Sequence, residues 1–296
     1  MYTPERYWKQ IEINAVLCYN EFNENSVKKN IFFSNTRGDK MIYCMSDIHG
    51  YFVLLKERTE QILGIMKEND KLIFLGDYID RGKQSCQCVE YLFELQDDHP
   101  NNVILLKGNH DEWFCDFVLG RNNDLWLIED KKMLTSGTFM TTEQIHDVKL
   151  TYLTKGKPAS YALMKKTIQE NHAELIKRLS QLPLYYETEN QIFVHAGIDE
   201  EAGEFWKTGT DDRTFVFKYP AQKGRFYKDI IAGHIGANEV RGDMKNYDIY
   251  YDGQSHYYID PSVYFSGRLN VLVYDDTTGK YYSLNEDGGL SEVVSG

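Results

Sequence analysis

Met41-Ile-Tyr-Cys-Met-Ser-Asp47-Ile-His49-Gly50 decides the fold, because an apolar run leads directly into two side chains that can bind metals. The arrangement returns at 71–82, which ends in Gly76-Asp77-Tyr-Ile-Asp80-Arg81-Gly82, and at 102–111, which ends in Gly108-Asn109-His110-Asp111. Apolar residues at helical spacing fill 51–67 and 84–96, and a third helix is predicted from about 112 to 119. This β-α-β-α-β-α order predicts right-handed crossovers and a mainly parallel sheet.

The remainder of the chain, from residue 191 onward, is rich in short strand-like runs separated by turn signals. Runs are predicted at 191–194, 229–232, 247–251, 256–259, 269–274 and 281–284, with hairpin turns at Asp252-Gly253 and around 275–279. A parallel β/α half followed by an antiparallel half predicts an α/β (α+β) fold. We expect two mixed sheets packed face to face as a β-sandwich, with helices outside.

The pattern predicts one main domain with three less regular segments. Residues 41–286 form the domain, within which the more polar segment 121–190 is interpreted as an insertion that caps or borders the cleft. One helix is predicted in this segment, at about 161–179, and a plain helical spacer is the alternative interpretation. Residues 1–40 are interpreted as an N-terminal appendage of unknown role, and 287–296 as a flexible tail.

Composition excludes several classes of partner. The 296-residue chain carries a net charge of −12, which argues against a nucleic-acid or anionic-membrane binder. No apolar run approaches the roughly 20 residues of a membrane helix, and the N-terminus lacks the features of a secretory signal. The five cysteines are scattered and odd in number, so we interpret them as reduced thiols in a cytoplasmic protein. The oligomeric state stays open.

Six side chains at strand ends are predicted to hold two divalent metal ions. Asp47 and His49 point to the same side of an extended stretch and would complete one ion's site, and Asp77 would bridge the pair. The second site would be completed by Asn109, His195 and His234. Nitrogen and oxygen ligands without thiolate favour manganese, iron or zinc over calcium or copper, and manganese is the expected ion.

Three further residues are predicted to carry the chemistry. A metal pair can lower the pKa of a bridging water, and the resulting hydroxide can attack phosphorus in line. Arg81 has the bidentate geometry that phosphate oxygens require. His110 is placed to protonate the leaving oxygen as general acid. Asp80 is expected to orient its imidazole, with Asp111 as the alternative.

These motifs resemble those of the calcineurin-like metallophosphoesterases. The Asp77-Tyr-Ile-Asp80-Arg81-Gly82 stretch is similar to the phosphoprotein (serine/threonine) phosphatase branch, of bacterial type, and the resemblance covers about 41–120 and 190–275. It implies the family's four-layer, two-sheet architecture with a binuclear centre. By position it gives the same six ligands, with His110 as acid, Asp80 as its partner and Arg81 as phosphate clamp.

Two departures from the family pattern leave the substrate open. Where a second phosphate-binding arginine is usual, Trp206 is followed by Lys207 and a threonine, so Arg213, Arg225, Lys207 or no residue takes that role. In addition, Asp111 stands where Glu is more frequent, as it does in relatives that cleave diadenosine tetraphosphate.

Three functions are therefore compared. The leading one is a metal-dependent phosphomonoesterase, a serine/threonine protein phosphatase acting on phosphorylated proteins or small phosphoesters. The alternative is a symmetrical diadenosine-tetraphosphate or related nucleotide hydrolase. A non-catalytic binding protein is disfavoured, because every predicted ligand and the acid are present.

Overall fold

This computed structural model of the protein describes residues 40–121 and 124–296. Its strands are β1 (Met41–Met45), β2 (Lys71–Phe74), β3 (Val103–Leu105), β4 (Tyr185–Glu187), β5 (Gln191–Val194), β6 (Asp229–Ala232), β7 (Tyr250–Tyr251), β8 (His256–Tyr258), β9 (Leu272–Asp275), β10 (Lys280–Leu284) and β11 (Leu290–Glu292). Its helices are α1 (Phe52–Leu63), α2 (Ser85–Asp98), α3 (Asn109–Val118), α4 (Thr142–Lys155), α5 (Lys157–Ser180), α6 (Trp206–Gly209), α7 (Asp212–Phe217), α8 (Ala237–Arg241) and α9 (Val263–Ser266). Short 3₁₀ helices occupy Asp124–Ile128, Lys131–Met133, Ser136–Phe139 and Glu200–Phe205.

The strands form two mixed sheets. The first has the order β11-β10-β9-β1-β2-β3, and the second has the order β4-β5-β6-β8-β7. β1, β2 and β3 are parallel, whereas β9 runs antiparallel to β1. In the second sheet β5, β6 and β8 are parallel, and β4 and β7 are antiparallel edge strands.

Three apolar clusters separate four layers of secondary structure. Successive β1 residues point to opposite faces, as strand geometry requires: Tyr43 packs with the first sheet's helices, and Cys44 packs between the sheets. The inter-sheet cluster also contains Phe193 of β5 and Ile231 of β6. A third cluster, which includes Trp206, covers the outer face of the second sheet. The predicted α/β fold of two packed mixed sheets flanked by helices is confirmed.

Two details of the sequence prediction are wrong. The late strands are not an antiparallel half of their own, because β9, β10 and β11 extend the first sheet and β5, β6 and β8 are parallel. In the described part of segment 121–190 there are two α-helices, α4 and α5, where one was predicted. A capping box marks the start of α4, since Thr141 Oγ1 accepts from Gln144 N and Thr141 N donates to Gln144 Oε1.

The predicted boundaries relate to the structure unevenly. The appendage 1–40 lies outside the described residues except for Lys40. In the predicted tail 287–296, residues 290–292 form β11, which pairs with β10. Across the described part of the chain, helices long and apolar enough to span a bilayer are absent. The division into a 41–286 domain with an insertion stays a prediction.

Candidate metal centre

The six predicted ligands lie where strands of both sheets end. Asp47 and His49 follow β1, Asp77 follows β2, Asn109 opens α3 after β3, His195 follows β5 and His234 follows β6. His195 Nε2 lies 2.9 Å from Asn109 Oδ1 and 3.5 Å from Asp77 Oδ1. The amide of His234 donates to Asp47 Oδ2 at 3.0 Å. The two sheets therefore bring together all six side chains that the sequence singled out.

Asp77 is shared by two groups of donor atoms. One group joins it to His49 and His110, and the other joins it to His195 and His234, with all donor atoms of a group within 4.8 Å of one another. A shared carboxylate between two nitrogen-rich groups is the arrangement that a bridging ligand requires. The bridging role itself stays a prediction.

The hydrogen bonding of His49 fits a bound cation. Its Nδ1 donates to the carbonyl oxygen of Ile79 at 2.8 Å, so the lone pair lies on Nε2. That buried atom has no hydrogen-bond partner within 40–121 and 124–296. Instead it faces Asp77 Oδ2 at 3.7 Å and Asp47 Oδ1 at 3.8 Å. Such spacings are too long for hydrogen bonds, but suit ligands of one ion that bonds each at about 2.0–2.2 Å.

Burial sets the protonation states that metal binding needs. Burial lowers the pKa of His49 and of His195, and it lowers that of His234 to about 3, so all three imidazoles are neutral. Burial, followed by the charge of Asp77, raises the pKa of Asp47 to about 7. Two crowded, buried carboxylates are costly without a compensating positive charge. A divalent cation between them would supply that charge.

The loops that carry the donors hold a strained backbone. Positive φ angles of 48–71° occur at six candidate site residues: Asp47, His49, Asp77, Asp80, Arg81 and His234. A left-handed conformation costs about 1–3 kcal/mol at a residue other than glycine. This strain is concentrated at the donors, as expected where the fold fixes side chains for a function.

Close backbone approach explains two of the motif glycines. A Cβ at Gly108 would collide with the carboxylate and the backbone nitrogen of Asp77. A Cβ at Gly233 would collide with Ser46 Oγ and Asp47 Oδ2. Glycine at these positions therefore lets the loops of the two sheets pack around the acidic donors.

His110, the predicted general acid, lies beside the candidate ligands. Its Nδ1 lies 2.6 Å from Asp80 Oδ2, and its Nε2 lies 4.0 Å from Asp77 Oδ2. Burial lowers its pKa, but the charge of Asp77 and the hydrogen bond and charge of Asp80 outweigh burial and raise it to about 9. With Nδ1 against Asp80, Nε2 is directed towards the candidate metal ligands.

Arg81 places a second donor next to His110. Its Nη2 lies 3.4 Å from His110 Nε2. Two N–H donors that face the same space leave room for an anionic oxygen that accepts from both.

The family model described as calcineurin-like phosphoesterase matches residues 40–274. The chain belongs to the calcineurin-like phosphoesterase family. Its members are metal-dependent, and the donor groups of this chain are suitable for a binuclear site.

Individual relatives are more distant. The chain is 45% identical over 65 residues to the serine/threonine-protein phosphatase 6 catalytic subunit of Caenorhabditis elegans, a match to 22% of this chain and 19% of that protein. A cold-active protein tyrosine phosphatase of the psychrophile Shewanella sp. has a TM-score of 0.52 at 13% identity, over 86% of this chain and 80% of that one. Another structure of a cold-active protein tyrosine phosphatase has a TM-score of 0.52 at 14% identity, over 86% of this chain and 79% of that one. At these identities the structures show the shared fold alone.

Asp111, the alternative candidate for orienting His110, hydrogen-bonds to the backbone instead. Its carboxylate is buried and accepts backbone N–H bonds from Asp77 at 2.8 Å, Gly108 at 3.0 Å and Tyr78 at 3.1 Å. It therefore ties the second and third motifs of this calcineurin-like phosphoesterase together. The structure pairs His110 with Asp80 instead.

Sequence reasoning missed two residues of the centre in segment 121–190. Trp126 Nε1 donates to Asp80 Oδ2 at 3.0 Å and to Oδ1 at 3.2 Å, and Thr135 Oγ1 donates to Asp80 Oδ1 at 2.6 Å. All three residues are buried. This segment therefore contributes two buried hydrogen-bond donors to the Asp80 carboxylate. The sequence signal for Trp126 is weak: it lies in a short apolar run, 125–128, within a largely polar segment.

Asp260 was also missed, although its position follows the rule that identified the ligands. It lies two residues after the end of β8, the parallel neighbour of β6, and it is 3% exposed. Burial, followed by the charge of Asp47, raises its pKa. Its place before a proline resembles an ordinary turn in the sequence, and this concealed it.

The three candidates for a second phosphate-binding residue lie in different surroundings. The guanidinium of Arg213 lies 5.4 Å from the ring centre of Phe217, whose ring lies 6.4 Å from that of His234. Lys207 pairs with Glu187 instead. Arg225 is exposed between α7 and β6. Arg213 has the best connection to the centre, and its role stays a prediction.

Proposed function

We propose that this calcineurin-like phosphoesterase is a metal-dependent phosphomonoesterase that removes phosphate from serine or threonine side chains of proteins. The observation that carries the proposal is the position of His110, which pairs with Asp80 at 2.6 Å and adjoins both the donor cluster and Arg81. An alkyl phosphomonoester releases a poor leaving group, which requires such an acid.

Each residue has a separate task in the proposed reaction. When bound, two divalent cations, expected to be manganese, would acidify water and neutralise phosphate charge. Arg81 would bind a non-bridging phosphate oxygen through its guanidinium. His110 would deliver its Nε2 proton to the oxygen that leaves phosphorus, while Asp80 keeps the imidazole oriented through Nδ1.

A groove beside the centre supports a protein substrate. A cavity of about 610 Å³ is lined by Trp113, Phe217, Leu125, Ile128, Glu112, Asp116, Glu129, Asp212 and Arg213. It adjoins the centre, because the Trp113 ring lies 5.4 Å from the ring of His110. Four carboxylates against one guanidinium repel a polyphosphate chain and attract basic side chains. The groove therefore favours a peptide over a dinucleotide.

The alternative nucleotide-hydrolase function loses its main support. It rested partly on Asp111, whose carboxylate accepts three backbone N–H bonds and so has a structural task of its own. It also rested on the apparent loss of the second phosphate-binding arginine. Arg213, one candidate for that role, shares the groove with four acidic residues, which disfavour a polyphosphate chain.

The test is phosphate release by manganese-loaded protein from three substrates: a phosphothreonine peptide with basic flanking residues, the same peptide with acidic flanks, and diadenosine tetraphosphate. We expect the basic peptide to have the highest kcat/KM, and the His110→Asn variant to lose about 10²–10⁴-fold in kcat on it. Faster cleavage of the dinucleotide would contradict the protein-phosphatase proposal. An unchanged rate in the variant would contradict the role of His110.

A further inference from the structure

The carboxylate of Asp80 has more partners than the orientation of one imidazole requires. Oδ2 faces His110 Nδ1 at 2.6 Å, Thr135 Oγ1 donates to Oδ1 at 2.6 Å, and Trp126 Nε1 lies 3.0 and 3.2 Å from the two oxygens. The backbone N–H of Asp80 donates to Ser85 Oγ at 3.2 Å. Two of these partners come from residues 124–139, more than forty positions further along the chain.

We propose that Trp126 and Thr135 are positioning residues that lock the Asp80 carboxylate so that it holds the leaving-group acid His110 in line. This inference rests on the proposed phosphomonoesterase function. It assigns a task to segment 121–190, which completes the catalytic apparatus from outside the metal-ligand motifs.

The geometry fixes the rotation of the carboxylate. With His110 as its only partner, a carboxylate can turn about its Cβ–Cγ bond and exchange its two oxygens. Thr135 occupies Oδ1, and the indole N–H spans both oxygens from one side. Only Oδ2 then remains for the imidazole. Rotation would break a bond in a fully buried site, where an unmet partner is costly.

Thr135 is itself held by a buried acid. Asp130 Oδ1 accepts from the backbone N–H groups of Thr135 at 2.8 Å and Ser136 at 3.1 Å, and Ser136 Oγ donates to Asp130 Oδ2. Asp130 is 5% exposed. The Asp130 carboxylate therefore stabilises the turn that presents the Thr135 hydroxyl.

Trp126 is wedged against the helix that carries the acid. Its ring lies 5.1 Å from the ring centres of both Phe114 and Phe117, two residues of α3. His110 lies in the first turn of that same helix. The Trp126 indole therefore contacts both α3, which carries His110, and the Asp80 carboxylate. It thereby fixes both ends of the His110–Asp80 hydrogen bond.

If Trp126 and Thr135 position the acid, the loss of rate in their variants must depend on the leaving group of the substrate. Phosphoserine releases an alkoxide, which needs the proton of His110, whereas p-nitrophenyl phosphate releases a stable phenolate that needs little protonation. Damage to the metal ligands or to folding would slow both substrates. The ratio of the two rates therefore isolates the acid from other defects.

The experiment compares Trp126→Phe and Thr135→Val with a matched control, Ser160→Ala. The first two remove one donor each and keep most of the packing volume. Ser160 is also buried in segment 121–190, but its hydroxyl donates to Val148 O at 2.9 Å. Each protein, loaded with manganese, is assayed for kcat and KM on a phosphoserine peptide and on p-nitrophenyl phosphate.

We expect each test variant to lose about 10-fold or more in kcat on the phosphoserine peptide with KM little changed, as part of the roughly 10²–10⁴-fold that a general acid supplies. On p-nitrophenyl phosphate we expect a loss in kcat of less than about 3-fold, because its leaving group needs little protonation. The control should keep the wild-type ratio. Equal losses on both substrates, or wild-type kcat in both folded variants, would overturn the proposal.

A second measurement does not depend on turnover. In zinc-loaded protein with ¹⁵N-labelled histidine, the Nδ1–H of His110 should give a protected, far-downfield proton resonance because of its short bond to Asp80. Trp126→Phe and Thr135→Val should shift it and speed its exchange with water, whereas Ser160→Ala should not. If wild-type protein cleaved neither ester, the proposed function would fail. An unmoved resonance in the variants would refute the positioning role by itself.

Discussion

Replacement of Asp111 by asparagine should destabilise the fold through the backbone of the second and third motifs. Oδ2 accepts from Asp77 N and Gly108 N, and Oδ1 accepts from Tyr78 N. An asparagine oxygen can replace only one carboxylate oxygen, so at least one buried N–H then faces an NH₂ group. An unmet buried donor costs about 1–3 kcal/mol, and bonds to a neutral acceptor are weaker than bonds to a charged one.

An electrostatic gain offsets part of this loss. Burial and the charge of Asp77 raise the pKa of Asp111, so a neutral side chain avoids a cost that the carboxylate bears. The net expectation for Asp111→Asn is a decrease of about 2 kcal/mol in the free energy of unfolding. With a urea slope of about 3 kcal/mol/M, the midpoint should fall by about 0.7 M at constant slope.

The assay is urea unfolding of metal-free protein, followed by circular dichroism, so that metal affinity does not enter. Asp147→Asn, an exposed aspartate on α4, is the matched control and should stay within about 0.5 kcal/mol of wild type. If Asp111→Asn were equally stable, the three backbone bonds would not hold the motifs together, and the reasoning about this residue would be refuted.

Two other substitutions test the packing of the loops and a buried ion pair. Gly108→Ala, which forces a Cβ into Asp77, should displace that ligand and lower the manganese content measured by mass spectrometry; full metal content would contradict the close packing. His256 bonds to Asp252 at 3.0 Å and Glu200 at 3.1 Å; burial lowers its pKa, but the two carboxylates outweigh burial and raise it. Its stabilising effect should be full below its unfolded pKa of about 6.5 and disappear as pH rises through the higher folded value. The stability difference between wild type and His256→Asn should therefore shrink with rising pH in urea titrations, and a constant difference would contradict the ion pairing.

Local pattern and strand-end position were sufficient to predict which six side chains converge and to predict the first three βα units. Each apolar run is short, each ends in a polar motif, and parallel strands bring such ends to one edge. Asp47, Asp77 and Asn109 were therefore found without any contact information. The histidines His195 and His234 were found by the same rule in the second sheet.

The features that could not be predicted from the sequence depend on contacts between residues far apart in the chain. β9 joins β1 across more than 220 residues, and the hydrophobic period of a strand does not reveal its neighbour. Trp126 and Thr135 reach Asp80 across 46 and 55 positions, and no local motif records a hydrogen bond of that span. Asp111 lies within a motif, but its backbone partners become visible only once two loops are packed together.

The central claim is that six donors at the strand ends hold two metal ions with Asp77 between them. The most direct test is the number of manganese ions bound per chain after dialysis, measured by plasma mass spectrometry for wild type, Asp77→Asn and the control Asp147→Asn. The account predicts two ions for wild type and the control, and at most one for Asp77→Asn. Two ions retained without the Asp77 carboxylate, or one or none in the wild type, would contradict it.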